Sequence, residues 1–187
     1  LAAFNQIERE HFVPEQYKGL AYADCQLPLA AGGTMLPPIL EGRMLQALRL
    51  EPSDSVLEIG SGCGYLTACL ATLADKVLSL DTRQQATELA TKNLHARNNE
   101  ALIKKIQLQT IASLADINHP QRFDAIAVCA GSLDSVADNL KAALVIGGRL
   151  FAVTGHSPAK KAQLMTRLSQ TEWQTETLFE TDIPDIH

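Results

Sequence analysis

Val56-Leu57-Glu58-Ile59-Gly60-Ser61-Gly62-Cys63-Gly64-Tyr65-Leu66-Thr67 is an apolar run that enters a glycine-spaced turn and leaves it as a helical pattern. Val56, Leu57 and Ile59 have the near-continuous apolar character of a strand buried on both faces. Leu66, Cys69, Leu70 and Leu73 recur at helical spacing directly afterwards. Between the two, Gly60, Gly62 and Gly64 let a ligand approach the backbone and leave the first helical amides free as donors. Strand, glycine turn and helix in this order predict a cofactor cradle.

The spacing narrows the cofactor. A dinucleotide fingerprint places its third glycine three positions after the second, and Tyr65 stands there; the third glycine, Gly64, comes one residue early. A second strand pattern, Lys76 to Leu80, ends in Asp81, close to the roughly twenty-residue offset at which a carboxylate meets ribose hydroxyls in doubly wound folds. The plainer reading is that any tight strand-to-helix turn favours glycine and any strand can end in Asp. The helix between the glycines and Asp81 weighs against it.

Composition sets the frame. At 187 residues and 46% apolar content the chain fits one domain, expected over residues 1–187 with a helical and lid region over 1–50, and buries about 70% of its unfolded surface. The net charge of -5 comes without a long basic run, Lys104-Lys105 and Lys160-Lys161 being the densest, so no nucleic-acid partner is expected. No apolar stretch approaches the about eighteen residues of a membrane span, and no charged start followed by an apolar core marks a signal peptide. The expected location is the cytoplasm, without a membrane partner. Cys25, Cys63, Cys69 and Cys129 lack C-x-x-C spacing and read as reduced thiols. His11, His95, His119, His156 and His187 form no i, i+4 pair, so no metal site is expected. The first residue is Leu1 rather than Met, and the last, Pro184 to His187, read as cut short.

Along the chain, Leu1, Phe4 and Ile7 predict a short helix that stops before Pro14. Tyr17 to Pro38 has no stable period and reads as a long loop over the sheet. Pro37-Pro38 opens a helix striped by Leu40, Met44, Leu45 and Leu48. After Asp81 a helix is predicted from about Gln84 to Ala96, a third strand from Lys105 to Gln109 and a fourth from Phe123 to Cys129. A helix carrying Leu133, Val136 and Leu140 then leads through Gly147-Gly148 to a strand from Arg149 to Thr154. Ala162 to Leu168 and Trp173 to Phe179 alternate about a polar turn, which predicts an antiparallel pair, although Lys160 to Arg167 can also be written as a helix. The fold class is α/β: a doubly wound, mostly parallel seven-stranded sheet with a C-terminal antiparallel hairpin.

Three blocks carry a family resemblance over nearly the whole chain. They are Phe12-Val13-Pro14 with Leu20 to Asp24 and Leu27-Pro28-Leu29; Val56 to Thr67; and Phe123 to Ile126 with Gly147 to Leu150. With these blocks the chain resembles the protein-L-isoaspartate O-methyltransferases. The resemblance implies a Rossmann-like fold that binds S-adenosyl-L-methionine (AdoMet) and methylates a carboxylate on damaged protein or peptide. It implies cofactor contacts from Glu58, Gly60, Ser61, Gly62, Gly64, Tyr65, Asp81 and Thr82. Ile111 and Ala112 fall at the adenine-facing positions, and Cys129 at the end of the fourth strand. The loop Leu29 to Pro38 lies beside the substrate, with Thr34 as the candidate catalytic residue.

Two departures stand out. The family's Gly-His-Gly-Gln-Thr-Ile-Ser stretch is here Ala30-Ala31-Gly32-Gly33-Thr34-Met35-Leu36, so Thr34 is kept, Ala31 replaces the histidine and Leu36 the serine. The family's Gly-Asp-Gly after the third strand is here Thr110-Ile111-Ala112. Two function classes follow: an AdoMet-dependent O-methyltransferase, including one with a different acceptor, or a catalytically impaired AdoMet-binding protein. A nicotinamide oxidoreductase fits the glycine spacing worse. The sequence leaves the oligomeric state open.

Overall fold

A computed structural model describes residues 2–117 and 121–186, so Leu1, His119 and His187 of the reading above lie outside the described residues. The chain opens with α1 (Ala2–Gln6) and two 3-10 turns at Arg9–His11 and Glu15–Leu20. It then forms a short hairpin of β1 (Leu27–Pro28) and β2 (Thr34–Met35), followed by α2 (Pro38–Leu48). The sheet strands are β3 (Ser55–Ile59), β4 (Lys76–Asp81), β5 (Ile106–Thr110), β6 (Phe123–Leu133), β7 (Leu144–Thr154), β8 (Lys160–Arg167) and β9 (Trp173–Thr181). Between them run α3 (Tyr65–Leu73), α4 (Gln84–His95), α5 (Glu100–Ile103) and α6 (Asp138–Ala142).

The seven strands lie in the order β5-β4-β3-β6-β7-β8-β9, parallel from β5 to β7 and antiparallel for the last two pairings. This bears out the fold class expected from the sequence, the terminal hairpin included. Period-2 alternation explains the unbroken apolar runs. Val56, Val77, Ala125 and Ala127 face one core with Met44, Leu48 and Leu70, while Leu57, Ile59, Leu80, Ile126 and Val128 face the other with Leu140 and Leu150. The order reverses between β3 and β6, and a crevice opens there at the carboxyl ends of the strands, where open α/β sheets take their ligands.

Polar ties lace the opposite end. Arg149 Nη2 donates to Asp54 Oδ2 at 2.5 Å, and the Ser55 amide donates to Asp124 Oδ2 at 2.9 Å. The Lys105 ammonium donates to the carbonyls of Ala71 and Ala74 at 3.2 and 2.8 Å.

Several boundaries differ from the sequence reading. The fourth sheet strand does not end at Cys129 but runs to Leu133, and the expected helix shrinks to Asp138–Ala142. The extension depends on a distant partner. Residues 183–186 return from β9 to lie beside Ser132, with the Ser132 amide on the Pro184 carbonyl and the Ile186 amide on the Ser132 carbonyl, each at 2.9 Å. The following strand starts at Leu144 rather than Arg149 and takes up Gly147-Gly148 at an irregular register. The loop from Tyr17 to Pro38 contains a 3-10 turn and the β1–β2 hairpin, closed by Leu29 N–H to Gly33 O at 3.0 Å.

Candidate functional site

The crevice is a cavity of about 340 Å3, within the range of small-molecule sites. Its floor and walls come from six separated segments: the end of β3 with Gly60, Leu80 to Arg83, Leu114, Ala130-Gly131 within β6, the loop at Gly33 to Leu36, and the tail Pro184 to Ile186. A second, smaller recess beside it is lined by Leu29, Thr34, Leu36, Glu41, Ser61, Gly62, Tyr65 and Cys129.

Gly60 shows why the floor carries no side chain. It sits at φ +98°, and a Cβ there would lie 2.5 Å from the Ala130 Cβ and 2.6 Å from the Ala130 backbone. Only glycine lets β3 pass β6 this closely at the strand end. Two amides of the turn ahead of α3 are taken up by protein acceptors. Gly62 N–H donates to Asp81 Oδ2 at 3.2 Å and Gly64 N–H to the Ser61 carbonyl at 2.7 Å, because the turn folds back on the neighbouring strand.

Asp81 is 3% exposed and receives five donors. Oδ1 accepts from the Arg83 amide at 2.9 Å and Arg83 Nε at 3.1 Å. Oδ2 accepts from Arg83 Nη2, Gly62 N–H and the Ser61 hydroxyl at 3.2, 3.2 and 3.4 Å.

Glu58 lies under the floor, fully buried. Thr67 and Ser79 each donate a hydroxyl to its Oε2 at 2.5 Å, while Oε1 has no hydrogen-bond partner among the described residues. Burial lifts this carboxyl from 4.5 to about 7, against the pull of the two hydroxyls. Burial likewise raises the Cys129 thiol, whose Sγ lies 3.8 Å from Met44 Sδ, and pushes Cys63 up to about 12, so neither is an activated nucleophile.

Arg9, fully buried, ties the loop from below. Its guanidinium pairs with Glu41, donates to the Ala21 and Leu36 carbonyls at 2.7 and 2.8 Å, and lies 5.0 Å from the Tyr65 ring centroid.

Of the residues singled out from the sequence, Thr34, Gly60, Ser61, Gly62, Tyr65, Asp81, Thr82 and Cys129 border one or both cavities. Glu58, Gly64, Ile111 and Ala112 do not. Gly64 packs on α4, a Cβ there lying 3.2 Å from Ala90, and Ile111 gives its amide to the Asp81 carbonyl at 3.0 Å and packs its side chain against the core of Leu57, Ile59 and Leu140. Leu114 borders the larger cavity instead. Sequence reasoning missed Leu114, Arg9, Glu41, the C-terminal tail and Arg83; for Arg83 a signal existed, a cation two residues from the strand-end Asp.

The residues present suit AdoMet. Asp81 offers a carboxylate for ribose hydroxyls, Ile59, Leu80, Leu114 and Ile186 offer apolar wall, and Gly60 leaves the floor bare. Among the described residues no group of His, Cys, Asp and Glu could hold a metal ion, and no helix is long and apolar enough to cross a membrane.

Comparison with known proteins points the same way. A sequence model of the family "Protein-L-isoaspartate(D-aspartate) O-methyltransferase (PCMT)" matches residues 1–182. The chain is 35% identical over 167 residues to a protein-L-isoaspartate O-methyltransferase of Methylorubrum populi, covering 89% of this chain and 76% of that one. It is 35% identical over 179 residues to the enzyme of that name from Rhodopseudomonas palustris, covering 95% and 80%. Among solved structures, a Plasmodium falciparum protein-L-isoaspartate O-methyltransferase in complex with S-adenosyl-L-homocysteine superposes with a TM-score of 0.84 at 20% identity, over 100% of this chain and 88% of the other, a likeness of fold.

Proposed function

The chain belongs to the protein-L-isoaspartate(D-aspartate) O-methyltransferase family, and on that premise we propose that it methylates an isoaspartyl carboxylate of damaged protein or peptide at the cavity described above. AdoMet is the methyl donor. The observation that carries the reading is Asp81, a buried carboxylate facing a cavity at the point where the strand order reverses, beside a side-chain-free glycine floor.

Bound in the cavity, AdoMet supplies a methyl group already activated by its sulfonium. The acceptor carboxylate oxygen is already a nucleophile, so transfer would exchange an S–CH3 bond of the donor for an O–CH3 bond, leaving a neutral thioether and requiring no proton transfer from the chain. What the chain contributes is position, which is worth about 7–11 kcal/mol when two reactants are held in line. Asp81 and Thr82 serve the ribose side and Gly60 to Gly62 the floor, while Thr34, which borders both cavities, stands on the acceptor side. Glu58 and Gly64 act from beneath, by holding the turn.

Residues 1–187 act as one domain in this reading, with 1–50 as the region that covers the site. The bonds from Arg9 to the Leu36 carbonyl and to Glu41 support it. A cytoplasmic location is part of the proposal, supported by four free thiols, three of them buried.

One observation favours a second reading, a binding protein without turnover: Leu36 occupies the loop position where an acceptor hydroxyl would stand, and its side chain is 4% exposed. Radiolabelled methyl transfer from AdoMet to an isoaspartyl peptide, against the aspartyl peptide and boiled protein, separates the two. Label in the isoaspartyl peptide alone is the expected result. AdoMet binding without label in either peptide would leave the binding protein or a methyltransferase with a different acceptor.

A further inference from the structure

The acceptor loop and the ribose-side carboxylate meet at one cation. Toward the sheet, Arg83 Nε and Nη2 donate to the two Asp81 oxygens. Toward the loop, Nη1 lies so close that a Cβ on Gly33 would meet it at 2.3 Å. Nη1 donates to no protein acceptor among the described residues. Arg83 borders both cavities, as do Thr34 and Leu36, and it is the only Lys or Arg among the described residues that does so.

Two constraints define what this guanidinium does. First, Asp81 is saturated: its five donors exceed the about four lone-pair positions of a carboxylate, so ribose hydroxyls reach it only by displacing one. The Gly62 and Arg83 amides are fixed by the turn. The Ser61 hydroxyl, at 3.4 Å, can rotate away but frees a place on Oδ2 alone; the guanidinium, on a flexible side chain 28% exposed, is the donor whose departure frees a place on each oxygen. Second, with Ala31 and Leu36 in the loop, the Thr34 hydroxyl is its only side-chain donor on the acceptor side, and it is neutral, whereas a carboxylate entering a closed site needs a charged partner.

We propose that Arg83 is the anchor for the acceptor carboxylate: ribose hydroxyls replace its guanidinium on Asp81, and the released group binds one oxygen of the acceptor, leaving the other to take the methyl. This rests on the methyltransferase reading above. It makes binding ordered, because the anchor becomes available only once the cofactor is in place.

The test is calorimetric titration of an isoaspartyl peptide into the native chain, Arg83→Gln and Arg83→Lys, each with and without S-adenosylhomocysteine, together with steady-state methyl transfer. The native chain should bind the peptide at least about tenfold more tightly with the nucleoside present. Arg83→Gln should abolish that preference and weaken peptide binding, and raise KM, by about ten- to a hundred-and-fifty-fold, the loss of a charged hydrogen bond. Its AdoMet affinity should hold or improve, since a competitor for Asp81 is gone. Arg83→Lys should restore part of the peptide affinity.

Unchanged peptide affinity in Arg83→Gln overturns the assignment. So does a tenfold loss of AdoMet affinity in both variants, which would put the guanidinium on the donor. If the native chain binds AdoMet yet transfers no methyl to the peptide, the proposed activity fails by itself and Arg83 is judged on binding alone. There, absence of peptide binding to the native nucleoside complex overturns the anchor, and binding weakened by Arg83→Gln supports it.

Discussion

Asp81→Asn replaces one carboxylate oxygen with an NH2 group at almost no cost in volume, and the consequence can be worked out donor by donor. Turned one way, the new amide keeps an oxygen for the Arg83 amide and Nε and sets its NH2 against Gly62 N–H, the Ser61 hydroxyl and Arg83 Nη2. Turned the other way, it serves those three and opposes the Arg83 amide and Nε. The hydroxyl can rotate to accept and the guanidinium can swing toward water. One backbone N–H, of Gly62 or of Arg83, is orphaned in either case. A partly buried donor left unpaired costs about 1–3 kcal/mol, so the ligand-free chain should lose about 2 kcal/mol of stability. The cofactor loses more specifically: ribose hydroxyls no longer meet a charged acceptor, which is worth about 1.5–3 kcal/mol, or a ten- to hundred-and-fifty-fold weaker complex. Urea unfolding without ligand and calorimetric titration with AdoMet, at one pH and salt concentration, measure the two effects separately. An AdoMet affinity within threefold of native in a folded Asp81→Asn chain would refute the placement of the ribose on this carboxylate.

Leu36→Ser removes a buried side chain and should cost about 2–5 kcal/mol of stability, while Arg9 still holds the Leu36 carbonyl at 2.8 Å and keeps the loop on its path. Isoaspartyl methylation measured in the cold should therefore rise by about tenfold, and no rise in a folded variant that binds AdoMet would show that a loop hydroxyl is not what limits transfer. Glu58 gives a pH signature: burial lifts its carboxyl from 4.5 to about 7, so its contribution is fully present below pH 4.5 and is lost as pH rises through about 7, an effect of up to about 3 kcal/mol. Glu58→Gln should flatten stability against pH across that window. Glu41, whose carboxyl burial also raises, contributes to the slope left over, and an unaltered slope would mean that Glu58 titrates normally in the folded chain.

The parts legible in the sequence are those whose causes are local. Val56 to Ile59 had to be a strand covered on both faces, and the glycines after it had to be a turn against another backbone; Gly60 lies against Ala130 as that requires. Asp81 was found from its offset alone. What stayed hidden depends on partners far along the chain. Nothing between Cys129 and Leu133 records that the strand continues, because its support is a tail 52 residues away. Arg9 looks like a surface residue of a short helix until Glu41, 32 residues on, and the carbonyls of Ala21 and Leu36 surround it. The family resemblance puts Ile111 at an adenine-facing position, but its amide is spent on the Asp81 carbonyl and its side chain packs against the core, so Leu114 takes the cavity wall.

The ties at the amino ends of the strands and the crevice at their carboxyl ends make the sheet unequal along its length. Asp54 with Arg149, Asp124 with Ser55 and Lys105 with two helix carbonyls pin one end, so amide protons of β3 and β4 near that end should exchange with solvent only when the whole chain unfolds. Amides of the loop Leu29 to Leu36 and of the Pro184 to Ile186 tail can exchange through local opening alone. A bound ligand that touches both would then announce itself as slowed exchange confined to two segments about 150 residues apart in sequence, leaving the pinned end silent.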